Sequence, residues 1–455
     1  MSNLTTSGKF SIVIFLMITL LTCCLGKTEK EKRDKKYKDK IETLEYKRGD
    51  KHVDHYESYA QKKRKDVPKL KVETDSNGVR KLYKCDSTGK RKEPMQLRGM
   101  SSHGLQWSGR ASITKHNIKE ILKKDWGCNL FRIAVHINEE GGYFCNPGRT
   151  HRFLDEIVEW CEDVGIYCLI DCYISKPGNP NDTIYRSYKM DTVIFSKERH
   201  KAGQKSSPNN TIDLAGSFFT YCAQRYKDKT NVIYGLCAQP NGIKADYNDL
   251  RITWQYHIRP YCEDMIEIIQ GIDPEKVIIC GTPHYSTRPQ DVISNEPQNR
   301  FTGKKYDNLM YALQVCAGSN LPEFNKFKSS KDSLELSGVL EQIPIFATTF
   351  MTTDQTGHSN FNIKESDKWL KFFYDNNISW CNWSFASIDD GGECCVLKWN
   401  SGCLPTDSIS LRDSILTESG KYIRKKLIEF SSSGKKSKIT KYNFTIEGNI
   451  SLEKK

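Results

Sequence analysis

The sequence lacks the residue patterns of a zinc site and of a protein with several membrane spans. No two of its 17 cysteines form a C-x-x-C pair, and histidine occurs only 10 times in 455 residues. A structural zinc site needs several such ligands at short spacings, so neither a metal nor another cofactor is expected. After the apolar run that ends at Leu25, no further run is long enough to cross a bilayer, so no membrane span is expected in the mature chain.

The composition excludes a chain that is disordered throughout. Hydrophobic residues make up 37% of the sequence and aromatic residues 11%, which is enough to build a large core. A chain of this length can hold two domains, although α/β barrels routinely occupy a single domain of this size.

The first 26 residues are predicted to be a secretory signal peptide. Lys9 precedes the apolar run Phe10–Leu25, and Cys24 and Gly26 supply small residues before a cleavage site. A membrane anchor is the alternative, but the run is short for that purpose. The fifteen cysteines outside this segment agree with a secreted, extracellular protein and favour disulfides, with at least one thiol unpaired or paired between chains.

Several asparagines stand in glycosylation sequons, which would carry glycans if the chain passes through an endoplasmic reticulum. The expected acceptors are Asn181, Asn209, Asn377, Asn443 and Asn449. Asn382 also fits the pattern, but we expect it to be buried at a strand end and unmodified.

Two segments are too polar to fold alone. Residues 27–66 are nearly all charged, with lysine in excess, and are expected to form a disordered linker or a propeptide. Residues 431–455 are predicted to be a basic, flexible tail. The run Lys62–Lys65 is most simply a solvated charge block, although a processing site or a nuclear signal also fits it. The net charge of +13 favours anionic polysaccharide or membrane surfaces, and no nucleic-acid partner is expected.

From residue 67 to about residue 430, short apolar runs alternate with amphipathic helical stretches. The runs are continuously apolar, as is typical of parallel strands covered on both faces. Eight strands with intervening helices predict a single (β/α)8 TIM barrel, with a doubly wound sheet as the second choice. The predicted strands are Gln96–Met100, Asn129–His136, Tyr167–Tyr173, Asn231–Ala238, Lys276–Pro283, Leu309–Cys316, Pro344–Phe350 and Ile378–Ser384.

The C-terminal ends of barrel strands carry the active site in enzymes of this architecture. Hydrolysis of a glycosidic bond by double displacement needs two carboxyl groups about 5 Å apart. Only Asp171 among the strand-end residues is a carboxylate, so the pair is missing. The residues at these ends are Arg132, His136, Asp171, Tyr173, Gln239, His284, Tyr285, Gln314, Cys316, Thr349 and Trp383.

Several sequence motifs resemble those of the bacterial and nematode endoglucanases of glycoside hydrolase family 5. They include LRGMSSHGLQW (Leu97–Trp107), FRIAVHINEEGGYFCNP, NVIYGLCAQPNG, NLMYALQVCAG, PIFATTFMTTD and ISWCNWS. The resemblance covers roughly residues 68–430 with order and spacing kept. It implies the (β/α)8 fold and β-glucan as the substrate class.

The resemblance also places both catalytic positions on residues that are not acids. The acid/base Glu of the family's Asn-Glu-Pro motif corresponds to Gln239, which has no ionisable proton and cannot act as a general acid or base. The nucleophilic Glu corresponds to Thr349, whose hydroxyl is a weak nucleophile without an adjacent base. The supporting residues differ as well, with Tyr173, Gln314 and Cys316 at positions where the family has His or Tyr.

Other positions that contact sugar in the family keep matching residues. These substrate-binding candidates are His103, Trp107, Arg132, Tyr285, Trp383 and Asp390. Each of the aromatic residues and Arg132 can equally be explained as part of the core or of a polar network inside the barrel. Cys237, Cys316 and Cys381 have the side-chain parity of pocket-facing residues, and the simplest interpretation is apolar filling of the barrel.

The residues therefore predict a secreted, cellulase-like barrel that is catalytically inactive and binds β-glucan, another cell-wall polysaccharide or a protein partner. The alternative is an active endo-β-1,4-glucanase-type hydrolase of O-glycosyl bonds with altered machinery. A third possibility is a barrel that serves only as a scaffold for the basic segments. A monomer is expected in each case.

Overall fold

A computed structural model describes residues 67–106, 108–139, 141–174, 178–189, 211–242, 252–319, 338–398 and 415–433. The predicted signal peptide, the charged segment 27–66 and the chain after residue 433 lie outside this part. So do Trp107 and the side chain of Asp390.

Eight parallel strands form a closed barrel, which confirms the predicted fold class. In barrel order they are β4 (Arg98–Ser101), β5 (Leu130–His136), β6 (Tyr167–Tyr173), β9 (Val232–Ala238), β10 (Ile278–Cys280), β11 (Leu309–Cys316), β12 (Ile345–Met351) and β13 (Ser379–Asn382), with β13 pairing back onto β4. The longer of these strands are buried along their whole length. Continuous burial is the physical reason for the continuous apolar runs in the sequence.

Helices surround the barrel, and three of the five long ones described begin after a residue whose side chain caps them. Helix α1 (Pro147–Val164) begins after Asn146, whose side chain accepts a hydrogen bond from the Arg149 amide, and it ends at Gly165 with φ 69°. Capping of this kind satisfies amide groups that have no partner within the helix. The other long helices are α2 (Leu214–Tyr226), α3 (Arg259–Ile272), α4 (Ile363–Asp375) and α5 (Glu418–Ser433), and π-helical segments lie at Asn117–Asp125 and Trp254–Ile258.

A three-stranded antiparallel sheet precedes the barrel and was not predicted. It consists of β1 (Leu70–Thr74), β2 (Arg80–Cys85) and β3 (Arg91–Pro94). Leu70 and Leu82 pack with the residues that begin the barrel strands, among them Leu130 and Tyr167. The sheet therefore closes the N-terminal end of the barrel with apolar side chains. One further two-stranded ladder joins β7 (Tyr188–Lys189) and β8 (Thr211–Ile212).

Two barrel strands carry one extra residue just before the positions that matter for function. Between the pairs Asp171–Gly235 and Tyr173–Ala238, β9 advances by three residues while β6 advances by two. Between the pairs Ala312–Phe346 and Gln314–Thr349, β12 likewise advances by three residues while β11 advances by two. A β-bulge of this kind re-aims the side chains that follow it. Gln239 and Thr349 both lie directly beyond such bulges.

The fourteen described cysteines are all free thiols. The disulfides expected from the cysteine content are therefore not found in this part of the chain. No helix in the described segments is long and apolar enough to span a membrane. Among the sequons, Asn382 is fully buried as expected, while the amide nitrogen of Asn181 donates a hydrogen bond to the His257 carbonyl.

The packing of the antiparallel sheet on the barrel leads to a stability prediction. Leu82 is 2% exposed, so Leu82→Ala should lower the free energy of unfolding by about 2–5 kcal/mol through lost burial and a cavity. Urea denaturation followed by circular dichroism measures the change. Lys84→Ala is the matched control on the same strand, because its ion pair with Glu93 lies at the surface and should contribute at most about 1 kcal/mol. Equal effects of the two substitutions would contradict a closing role for the sheet.

Candidate active site

Two glutamine side chains meet across the C-terminal mouth of the barrel. The Nε2 of Gln239 donates a hydrogen bond to the Oε1 of Gln314 at 2.9 Å, and Gln314 lies beside Thr349 in the register of β11 and β12. Gln239 itself has a left-handed backbone with φ 60°, and its carbonyl accepts a hydrogen bond from Asn241. Gln314 is thus a common neighbour of Gln239 and Thr349, the two positions predicted to be the degenerate catalytic pair.

Neither Gln239 nor Gln314 carries a side chain that can act as a general acid or base. A carboxamide has no proton to give or take at ordinary pH. The amides of Gln239 and Gln314 are also hydrogen bonded to each other. Thr349 is 3% exposed, and the side chain beside it in register is the neutral amide of Gln314. A hydroxyl group without a base is a poor nucleophile.

The one carboxylate found at a strand end lies below the mouth in an ion pair. Asp171 accepts a hydrogen bond from the Nε of Arg132 at 2.8 Å, and the Nη1 of Arg132 donates another to the Ser101 hydroxyl at 3.0 Å. Burial raises the pKa of the Asp171 carboxyl, while the positive charge of Arg132 opposes that rise. A Cβ atom on Gly235 would lie 2.2 Å from the Asp171 Oδ1, so the glycine provides the room for this pair.

An aromatic wall stands on the opposite side of the mouth. The ring of Trp383 lies 5.2 Å from that of His103 and 5.8 Å from that of Tyr173, and the Arg132 guanidinium lies 5.5 Å from the Trp383 ring centre. Tyr173 also stacks on His136 at 4.3 Å. Burial lowers the pKa of His136, and the hydrogen bond to Glu139 partly opposes that change by raising it. Trp383 therefore contacts both His103 and Arg132, and all three residues were predicted to contact sugar.

Tyr285 approaches the same site from the segment after β10. Its backbone amide donates a hydrogen bond to the Pro240 carbonyl at 2.9 Å, which places it next to Gln239. Its backbone is left-handed, with φ 59°, and its side chain is half-buried. Tyr285 thus borders the mouth beside the former acid/base position.

The described loop carboxylates that could replace the missing pair either bind neighbouring side chains or are exposed to solvent. Glu139 contacts the Nδ1 of His136 at 3.4 Å. Asp354 accepts hydrogen bonds from Thr356 and Ser359 within its own turn, and Asp389 and Glu393 are exposed. None of these four described carboxylates is in contact with another across the mouth.

The structure corrects one prediction about the cysteines. Cys316 lies in the mouth and Cys381 inside the lower barrel, but Cys237 packs outside the barrel and its thiol is hydrogen bonded to Cys262 of α3. The bulge in β9 inserts one residue before the strand end, which reverses the side-chain parity on which the prediction rested.

Sequence reasoning missed a pair of adjacent thiols at the mouth. Cys394 and Cys395 belong to the same apolar cluster as Tyr173, Cys316 and Trp383. The Ser384 hydroxyl lies 3.4 Å from both the Cys395 Sγ and the Nδ1 of His103. The only sequence signal was the adjacency of two cysteines shortly after the last strand.

Comparison with known families agrees with this geometry. The family model for cellulase, glycosyl hydrolase family 5, matches residues 85–388. The chain belongs to glycosyl hydrolase family 5.

Relatives within the family are endoglucanases. An endoglucanase of Clostridium saccharobutylicum is 33% identical over 343 residues, which cover 75% of this chain and 63% of that protein. The catalytic domain of Thermobifida fusca endoglucanase Cel5A (E5) is similar in structure, with a TM-score of 0.58 and 27% identity, over 79% of this chain and 97% of that one. A glutamate-to-glutamine variant of the same domain, in complex with cellotetraose, gives a TM-score of 0.57 at 27% identity, over 79% of this chain and 97% of that one.

The ion pair inside the barrel leads to a second stability prediction. Arg132→Met leaves the Asp171 carboxylate buried without its partner, so the free energy of unfolding should fall by about 3–5 kcal/mol. Replacing both residues, as in Arg132→Met with Asp171→Leu, should cost less than the sum of the single changes, because no unpaired charge remains. Urea denaturation of the three variants measures the difference. Strict additivity would show that the two side chains are not energetically coupled.

Proposed function

We propose that this family member is a non-catalytic barrel that binds a β-glucan chain in the groove at its mouth. The observation that carries the proposal is the hydrogen bond between Gln239 and Gln314, beside Thr349. The uncharged side chains of Gln239 and Thr349 occupy the positions where hydrolysis needs two carboxyl groups, and Gln314 satisfies Gln239 with a neutral hydrogen bond. The chemistry is lost, while the shape of the mouth and its aromatic wall are kept.

Binding without cleavage is supported by the groups that remain. Trp383, Tyr173 and Tyr285 present ring faces and edges at the mouth, and aromatic faces of this kind bury apolar area while keeping a polar edge for hydrogen bonding. The related Thermobifida domain was obtained with cellotetraose in a form in which a glutamate is replaced by glutamine. Substitution of Glu by Gln in that relative is thus compatible with a bound cello-oligosaccharide.

An extracellular location accompanies this proposal. It rests on the apolar run Phe10–Leu25 with its flanking residues and on the sequons. The excess of lysine in residues 27–66 would then act outside the cell, where it favours acidic polysaccharides or acidic proteins. A protein partner for the basic segments fits the same location.

The absence of hydrolysis is the first test of the proposal. Purified full-length protein should release no reducing sugar from carboxymethylcellulose and no chromophore from an aryl cellobioside above a buffer control, because neither Gln239 nor Thr349 can deliver or accept the proton as a carboxyl group does. Activity above that control would overturn the proposal in favour of an altered hydrolase. The double variant Gln239→Glu with Thr349→Glu is the positive comparison: activity gained there would show that the groove still positions a glucan for cleavage.

Binding is tested separately with cellohexaose. Titration should change the tryptophan fluorescence and release heat in a calorimeter. Trp383→Ala should weaken the affinity about tenfold or more, or roughly 1.4 kcal/mol, because the main aromatic face of the mouth is removed. Tyr374→Ala is the matched control, since this aromatic residue is 45% exposed at the end of α4 that points away from the mouth. No response to cellohexaose, or equal affinity in both variants, would remove the glucan-binding proposal and leave a scaffold function.

A further inference from the structure

Two adjacent cysteines, Cys394 and Cys395, lie in the apolar cluster at the barrel mouth. The Cys394 amide donates a hydrogen bond to the Gly357 carbonyl at 2.8 Å, and the Cys395 amide donates one to the Gly392 carbonyl at 3.0 Å. The Thr417 hydroxyl donates a further hydrogen bond to the Cys395 carbonyl at 2.8 Å. The backbone of the pair is therefore held firmly, and both side chains are buried, with exposures of 1% and 0%.

The thiol of Cys395 is surrounded by groups that stabilise its ionised form. The Ser384 hydroxyl lies 3.4 Å from its Sγ, and the Cys394 thiol and the His103 imidazole are close enough to lower its pKa. The Cys394 thiol also donates a hydrogen bond to the Gly391 carbonyl at 3.2 Å. The imidazole in turn lies 3.4 Å from the same hydroxyl. A Cβ atom on Gly391 would lie 2.5 Å from the His103 Cε1 and 2.9 Å from the Cys395 Sγ, so the glycine backbone covers both groups closely.

The electrostatic consequence is opposite to that of burial elsewhere in the barrel. The hydrogen bond from Cys394, together with that of His103, lowers the pKa of Cys395 to about 5 despite burial. The hydrogen bond to Cys395 and burial raise the pKa of Cys394 well above its usual range. Burial raises the pKa of Cys316 in the same cluster to about 12. One thiol of the pair is thus prepared to attack, and its neighbour keeps its proton.

The geometry points to a redox-active thiol pair, with Cys395 as the nucleophile for a hydroperoxide and Cys394 as the resolving thiol. The reagent must be small because neither side chain reaches the surface, and hydrogen peroxide meets that condition. The proposal does not rest on glucan binding or on the degenerate positions Gln239 and Thr349, although His103 is shared with the aromatic wall of the mouth.

The reaction balances with the groups present. The thiol proton of Cys395 passes to the His103 imidazole, and the Sγ attacks one peroxide oxygen, so that an S–O bond forms and the O–O bond breaks. The departing hydroxide takes the proton from the imidazolium and leaves as water. The Cys394 sulfur then attacks the sulfenic acid on Cys395, an S–S bond forms, and the second hydroxide leaves with the Cys394 proton as water. Two thiols and one hydrogen peroxide give one disulfide and two waters.

The product should be easy to reduce. Neighbouring Cα atoms across a trans peptide lie about 3.8 Å apart, whereas disulfides prefer Cα separations of roughly 4.4–6.8 Å. A disulfide between adjacent residues is therefore strained, and strained disulfides have higher reduction potentials. The pair is suited to reversible oxidation and poorly suited to permanent structural support.

The test measures the oxidation of each cysteine in the full-length, reduced protein. After brief exposure to hydrogen peroxide, remaining thiols are alkylated in denaturant and every cysteine peptide is quantified by mass spectrometry. Cys395 should be oxidised faster than Cys316 and Cys381 by a factor on the order of ten or more, and the product should be a Cys394–Cys395 disulfide that dithiothreitol reverses. Oxidation of Cys395 at the rate of Cys316, or a disulfide to any other cysteine, would overturn the assignment.

Variants separate the roles of the two thiols and of the imidazole. Cys394→Ser should stop at a sulfenic acid on Cys395 that dimedone traps, whereas Cys395→Ser should leave Cys394 reduced. His103→Gln should slow oxidation of Cys395 severalfold, because the imidazole no longer takes its proton. Cys316→Ser is the matched control in the same cluster and should change nothing at Cys395. Unchanged oxidation in His103→Gln, or oxidation of Cys394 in Cys395→Ser, would contradict the mechanism, and the measurement on the unaltered chain needs no variant to fold.

Discussion

The buried ion pair between Arg132 and Asp171 divides the interior of this barrel into two parts. Below it the strands contribute apolar side chains, which the antiparallel sheet of β1–β3 closes from outside. Above it the interior becomes polar and aromatic, and the mouth begins. A charge pair at this depth depends on additional hydrogen bonds, and the structure provides one with the Ser101 hydroxyl, in the space left by Gly235. The Nη2 of Arg132 has no hydrogen-bond partner among the described groups. The position of Trp383 over the guanidinium follows from the same arrangement.

The two β-bulges decide which side chains face one another above that pair. Each adds one residue to a strand just before its end, so Gln239 and Thr349 are directed by local backbone geometry. The structure places a neutral amide and a hydroxyl at these two strand ends. Carboxylates introduced at the same positions would be directed by the same backbone. For this reason restored carboxylates are a meaningful comparison.

Much of the barrel could be predicted from the sequence, because parallel strands buried on both faces give continuous apolar runs. The predicted strands Tyr167–Tyr173 and Leu309–Cys316 have the same bounds as β6 and β11. The antiparallel sheet was missed because its strands are short and polar; β3 is exposed throughout. The orientation of Cys237 was wrong because a bulge leaves no signal in the local sequence. The contact between His103 and Cys395 was out of reach because it depends on closure of the barrel between its first and last strands.

The neutral side chains of Gln239 and Thr349 also change what the surrounding residues need to do. Two carboxylates about 5 Å apart in a water-poor mouth repel one another, and such a pair needs charged or polar groups to hold it and to separate the two pKa values. Gln239 and Gln314 have no such repulsion, since each satisfies the other with a neutral hydrogen bond. With no charge to orient, uncharged residues such as Tyr173 and Cys316 can occupy the adjacent positions at little cost. The absence of the acids and the unusual residues around them are therefore one physical change, and the aromatic wall on the other side of the mouth does not depend on it.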